Sequence, residues 1–191
     1  MNFDYRAIKC LIENGERYIV EDSSLTEAGV LLPIFFQDEV PQILFTKRTD
    51  KVEHHKGEIS FPGGIKSAKD GNILQTALRE TEEEIGVTKK DIEILGCLDD
   101  MPTVTGFNIS PFAGIISYPF EFRINADEIE RLIEVPLPLL MVEKRWAETL
   151  RSYKGEMLRT YTFNFNSDVI WGATAGILKR FIEISKDVWA K

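Results

Sequence analysis

Residues 79–87 read Arg-Glu-Thr-Glu-Glu-Glu-Ile-Gly-Val, four glutamates and an arginine within six positions. On a helix turning about 100° per residue, Glu80, Glu83 and Glu84 share one face, while Leu74, Leu78 and Ile85 gather on the other. The apolar side would pack on a sheet and the three carboxylates would converge outward; Glu82 points away from them. Like charges at this spacing destabilise an isolated helix by roughly a few tenths of a kcal/mol per pair, so the cluster calls for a compensating partner. A divalent cation is the natural one, and hard carboxylate oxygens with no soft ligand nearby suit Mg²⁺ or Mn²⁺. Arg79 is placed to hold one carboxylate by a bidentate contact. A solvated acidic helix face is the competing reading, and Glu82-Glu83-Glu84 alone would favour it. The surroundings tip the balance: a Gly63-Gly64 corner upstream, Arg79-Glu80 directly before, and Ile85-Gly86-Val87 directly after.

The elements that must position this helix are readable in outline. Residues 29–36 and 42–47 are apolar, β-prone runs separated by turn-forming residues 37–41, which predicts an antiparallel hairpin. Residues 57–64 predict a short strand ending in a Pro-Gly-Gly corner, where the backbone can lie close to a ligand. A loop over 65–71 leads into a helix over 72–85, closed by Gly86. Helical spacing also marks 4–14 and 173–189, and further strands are predicted over 92–98, 109–118, 128–135 and 158–165. Strands in the middle with helices interrupting and ending the chain predict an α+β or layered α/β/α organisation around a mixed sheet, in one domain spanning 1–191.

Composition narrows the function. With 43% hydrophobic and 28% charged residues the chain reads as an ordinary globular protein. A formal net charge of −8 argues against nucleic acid as a partner, although cations between protein and ligand would still permit an anionic substrate. No apolar run reaches the roughly 20 residues that cross a bilayer and no signal-peptide pattern opens the chain, so no membrane partner and a cytoplasmic location are expected. A homodimer is compatible with the sequence. Cys10 and Cys97 belong to no Cys-x-x-Cys pair and read as small buried hydrophobes.

The acidic helix in this context resembles the Nudix box: Gly, five residues, Glu, seven residues, then Arg-Glu-aliphatic-x-Glu-Glu-x-Gly-aliphatic. The distal half matches as Arg79-Glu80-Thr81-x-Glu83-Glu84-x-Gly86-Val87, with Thr81 at the aliphatic position. In the proximal half, five residues after Gly64 lead to Asp70 rather than Glu, and eight residues separate it from Arg79, a one-residue insertion. The insertion is similar to a Nudix subgroup active on coenzyme A, whose upstream pattern is matched by Leu44-Phe45-Thr46-Lys47-Arg48-Thr49, Gly57 and Phe61-Pro62-Gly63-Gly64. Glu53 replaces an Arg of that pattern, and Val169 to Gly176 also looks like the subgroup.

The resemblance implies a metal-dependent hydrolase of a diphosphate linkage in a small nucleotide substrate. Its metal ligands would be Glu80, Glu83 and Glu84 with the backbone carbonyl of Gly63, and Arg79 would orient a glutamate. Within the subgroup the substrate would be coenzyme A or an acyl-CoA, cleaved to 4′-phosphopantetheine and adenosine 3′,5′-bisphosphate. ADP-ribose, NADH or a nucleoside triphosphate are the alternatives within the family, and a non-catalytic nucleotide-binding regulatory module is the alternative outside catalysis. The general base lies on the helix or in a later loop, where Glu128 is the candidate; a surface acid beside a strand is its other reading. Gly63 and Gly64 would line the substrate. Arg48 either clamps a substrate phosphate or pairs with an acid at the strand end. His54 and His55 read as loop histidines, and Trp171 as an aromatic anchoring a helix start in the core.

Overall fold

The computed structural model describes residues 4–51, 56–153 and 156–189. In chain order the elements are α1 (Tyr5–Asn14), β1 (Thr26–Gln37), β2 (Val40–Arg48), β3 (Ile59–Ser60), β4 (Gly63–Ile65), α2 (Ile73–Ile85), β5 (Ile92–Cys97), β6 (Met101–Pro102), β7 (Phe107–Ile116), β8 (Ile129–Pro136), α3 (Leu137–Leu140), β9 (Trp146–Tyr153), β10 (Glu156–Phe165), β11 (Asp168–Trp171) and α4 (Gly172–Trp189).

The predicted hairpin is β1–β2, paired antiparallel from Gln37↔Val40 to Ile34↔Ile43. Its turn is Asp38-Glu39, with φ of 48° and 64°. Two left-handed residues in a two-residue loop match the right-handed twist of the strands they join. β1 runs parallel to β7 on its other side, so the sheet is mixed, in the order β3-β2-β1-β7-β5. Strands covered on both faces lose the in–out alternation and read as continuous apolar runs, which is why 29–36 contains no polar residue.

Both faces are covered. Leu31 and Phe35 of β1 face α2, clustering with Ala77 and Ile85. Leu32 and Ile34 face the other way, into a core shared with Ile8 of α1 and with Ile177, Leu178 and Phe181 of α4. This is the α/β/α sandwich expected. Gly29 permits the close approach of α2: a Cβ there would lie 2.5 Å from the Ile73 carbonyl oxygen.

Three details depart from the sequence expectations. β9, β10 and β11 form a separate three-stranded antiparallel sheet, of which only the β10 segment is among the strands predicted above. Cys10 is exposed and Cys97 half-buried rather than both buried; α1 docks through Ile8, and Cys10, two residues on, falls on the opposite side of the helix. Trp171 is 48% exposed instead of packed in the core, since it closes a β11 strand whose inward residue is Ile170.

Candidate active site

The acidic helix α2 is well delimited. Asn72 caps its start by accepting from the Gln75 N–H at 3.0 Å, and Gly86, at φ 74°, ends it by donating to the Glu82 carbonyl at 3.0 Å. Its carboxylates do not all face solvent. Glu82 and Glu83 are exposed and Glu80 is half-buried, but Glu84 is 3% exposed, turned under the helix toward β2. The reading of three carboxylates converging outward is therefore corrected. The i, i+4 position of Glu84 lies at the boundary of the packed face, and the strand ends close over it.

Glu84 lies beside Arg48 at the end of β2, with Oε1 3.7 Å from Nη1. Glu84 is the acid that Arg48 meets at the strand end. The pair is incompletely satisfied: Glu84 Oε2 and Arg48 Nε are buried with no hydrogen-bond partner among the described residues. Burial pushes the Glu84 carboxyl up to about 8; Arg48 and the Gly63 N–H oppose this, and the charges of Glu80 and Glu128 reinforce it. Glu80 is also raised, by burial first and then by Glu83 and Glu128, against the pull of Arg79.

Arg79 organises the opposite edge. Its Nε and Nη2 donate to the two oxygens of Asp70 at 3.0 and 3.1 Å, and Nη1 serves both Glu80 at 2.8 Å and Glu83 at 3.0 Å. The bidentate partner is thus Asp70 and not a glutamate of the helix. Asp70 also accepts from the Ser67 N–H and the Thr76 hydroxyl, and with Arg79 these hold its carboxyl well below the usual range. The sequence left Asp70 without a role because the inserted residue hides the correspondence. The available signal was a carboxylate in the loop facing an Arg on the first turns of the helix.

The Pro-Gly-Gly corner lies under the helix. β4 pairs with β1 at Gly29↔Gly64 and Val30↔Gly63. A Cβ at Gly64 would lie 2.5 Å from Cδ of Glu80, so the backbone is pressed against that carboxylate. Gly64→Ala displaces the tip of a flexible side chain and no backbone. We expect its melting temperature to stay near that of the unaltered protein while activity falls roughly 10-fold or more, as when a partner orienting a ligand is disturbed; unchanged kcat/KM would show that Glu80 is free to move.

Glu128, half-buried, directly precedes β8, whose Ile129 pairs with Arg48. The Thr49 N–H donates to the Glu128 carbonyl at 2.8 Å. The fold therefore brings Glu128 to the same strand end as Arg48, and its charge acts on both Glu80 and Glu84. Glu53, His54 and His55 lie outside the described residues.

Comparison with known proteins decides the family. Residues 26–146 match the NUDIX domain, a span holding Arg48, Gly63, Gly64, Asp70, the acidic helix and Glu128. The chain belongs to the Nudix family. A Nudix hydrolase NudL of Yersinia enterocolitica, itself uncharacterized, is 34% identical over 158 residues, covering 82% of this chain and 80% of that protein. Among solved structures, the Nudix hydrolase RenU of M. smegmatis superposes with a TM-score of 0.59 at 14% identity, over 85% of this chain and 87% of that one. The MutT protein of Methanosarcina mazei gives 0.56 at 14% identity, over 88% and 99%. At these identities the structural likeness speaks for the fold alone. As a Nudix hydrolase, this protein is a pyrophosphohydrolase.

Nudix hydrolases use divalent cations. Among the described residues no three His, Cys, Asp or Glu side chains are gathered closely enough to enclose one, since Arg79 ties Glu80 and Glu83 to itself. The donor chemistry nevertheless fits: all the candidate ligands are hard oxygens, and Glu84 Oε2 is a buried acceptor without a partner. Among the described residues, no helix is long and apolar enough to cross a membrane.

Proposed function

We propose that this Nudix hydrolase cleaves the diphosphate linkage of coenzyme A or an acyl-CoA, giving 4′-phosphopantetheine and adenosine 3′,5′-bisphosphate. The observation that carries the reading is the buried carboxylate of Glu84. It is held between Arg48 and Gly63 within reach of the charges of Glu80 and Glu128, on the helix of the matched box. The assignment to coenzyme A rests on the pattern from Leu44 to Gly64, which contributes both Arg48 and Gly63.

In this reading Glu80, Glu83 and Glu84, with the Gly63 carbonyl, hold Mg²⁺ or Mn²⁺. The cation supplies neutralisation of the diphosphate charge, which otherwise repels a nucleophile. Asp70 fixes the Arg79 guanidinium, which orients Glu80 and Glu83. A Glu128 carboxylate oxygen takes the proton of the attacking water as the new P–O bond forms and the anhydride P–O bond breaks. Arg48 and the half-buried backbone of Gly63 and Gly64 contact the substrate phosphates.

The test is an assay with Mg²⁺ and with Mn²⁺ against coenzyme A, ADP-ribose, NADH and a nucleoside triphosphate, alongside Glu83→Gln. We expect metal-dependent cleavage of coenzyme A that falls roughly 100-fold or more in the variant, the upper end for a disturbed metal site. Preference for another of the four would overturn the substrate assignment. Silence on all four with either metal would favour a nucleotide-binding regulatory module.

A further inference from the structure

The loop that delivers Glu128 is tied to the acidic helix through one residue that no motif marks. The Asn125 backbone N–H donates to the Glu84 carbonyl at 2.9 Å, two residues after Arg123 donates to Ile85 at 3.0 Å. The Asn125 carbonyl in turn accepts from the N–H groups of Glu128 at 3.0 Å and Ile129 at 2.8 Å, closing a tight turn at the start of β8. Its side chain does two separate things. Oδ1 accepts from the Asp127 N–H at 3.2 Å, an Asx turn, and Nδ2 donates to Glu128 Oε1 at 3.2 Å. The Asx turn is explained by local folding. The amide bond to a half-buried carboxylate three residues away is not needed for that turn, since the backbone bonds already close it.

We propose that Asn125 is a positioning residue: its side-chain amide fixes the Glu128 carboxylate while its backbone anchors the same turn to the helix segment bearing Glu84. The distance between the base and the carboxylate face of α2 is then set by one residue bonded to both. Two observations support this independently of the Asx turn. Thr49 binds the loop from the β2 side, through its N–H to the Glu128 carbonyl and its hydroxyl to the Asp127 carbonyl at 3.0 Å, so the turn cannot swing as a unit. The Glu128 side chain is the part those bonds leave free, and among the described residues Asn125 Nδ2 donates to it. An amide is also the suitable chemistry, since it donates to a carboxylate without neutralising it as Lys or Arg would.

The inference rests on Glu128 as the general base, and the experiment separates the two. Asn125→Ala and Asn125→Asp are made in the unaltered full chain and in Glu128→Gln, and kcat and KM are measured for coenzyme A. Asn125→Asp keeps the acceptor for the Asp127 N–H but sets a carboxylate against Glu128. Both variants should lower kcat about 10–100-fold, the range for a lost orienting partner, with KM little changed. In the Glu128→Gln background neither should cost more than about twofold further. In the metal-free protein both should shift the carboxyl carbon NMR resonance of Glu128 while leaving the melting temperature within a few degrees of the unaltered protein. Restoration of kcat by Asp would overturn the proposal in favour of the Asx turn alone, and equal losses in both backgrounds would overturn it in favour of a general structural role. If Glu128→Gln keeps full kcat while Glu83→Gln is inactive, the base assignment and this inference fall together, and the hydrolase reading stands.

Discussion

Glu84→Gln is expected to lose hydrolysis roughly 100-fold or more while making the metal-free protein more stable at alkaline pH. The two effects have one cause. The carboxyl is 3% exposed and pushed up to about 8 from an ordinary 4.5, chiefly by burial. Between those values the folded state holds a proton that the unfolded chain has released, so stability falls as pH rises from about 4.5 to about 8 and then levels. The ionised form is penalised by on the order of 5 kcal/mol, which Gln does not incur. For a chain of this size that corresponds to a melting temperature higher by roughly 10–20 °C above pH 8. Mg²⁺ at about 100 times its dissociation constant would return roughly 2.7 kcal/mol to the unaltered protein and much less to the variant. Parallel melting curves for the two proteins from pH 5 to 9 would show that Glu84 does not carry a buried charge. A site that stores an unfavourable charge when empty of its cation binds that cation more tightly, so lower stability and function are linked here.

Arg79→Ala is expected to lower kcat/KM roughly 100-fold and to cost stability mainly at neutral pH. Arg79 is the common partner of Asp70, Glu80 and Glu83, and without it three carboxylates face one another without a counter-charge. Its bond is first of the causes that hold Asp70 below the usual range, ahead of the Ser67 N–H. A depressed carboxyl contributes stability that is present above its unfolded value, near 3.8, and is lost as pH falls through the folded one. Arg79→Ala should therefore lose stability at pH 7, with the deficit against the unaltered protein shrinking as the pH falls below about 3.8. Arg79→Lys sharpens the test, because an ammonium cannot bind both oxygens of Asp70 while reaching Glu80 and Glu83. Near-native activity in the Lys variant would show that charge alone suffices and that the fork geometry carries nothing.

The sequence by itself determined the family, the acidic helix with its closing glycine, the first hairpin and the layered architecture. These depend on local rules: a period near 3.6 closed by Gly86, turn-forming residues 37–41 between apolar runs, and a motif whose spacing survives on a single helix. Little in it marked the β9–β10–β11 sheet, in which β9 is largely polar and β11 only four residues long.

Only the tertiary structure decided how the carboxylates divide. Helical spacing puts Glu80, Glu83 and Glu84 on one side, yet whether that side meets water depends on what packs across it. Here β2 ends with Arg48 over Glu84, leaving Glu83 in solvent. Long-range pairing likewise assigned Asp70 to Arg79, and Asn125 and Glu128 to the helix end. For Asp70 the contact depends on how the loop before the helix folds back on it, and for the Glu128 turn on strand register and backbone bonds across the sheet, which no short window of sequence contains.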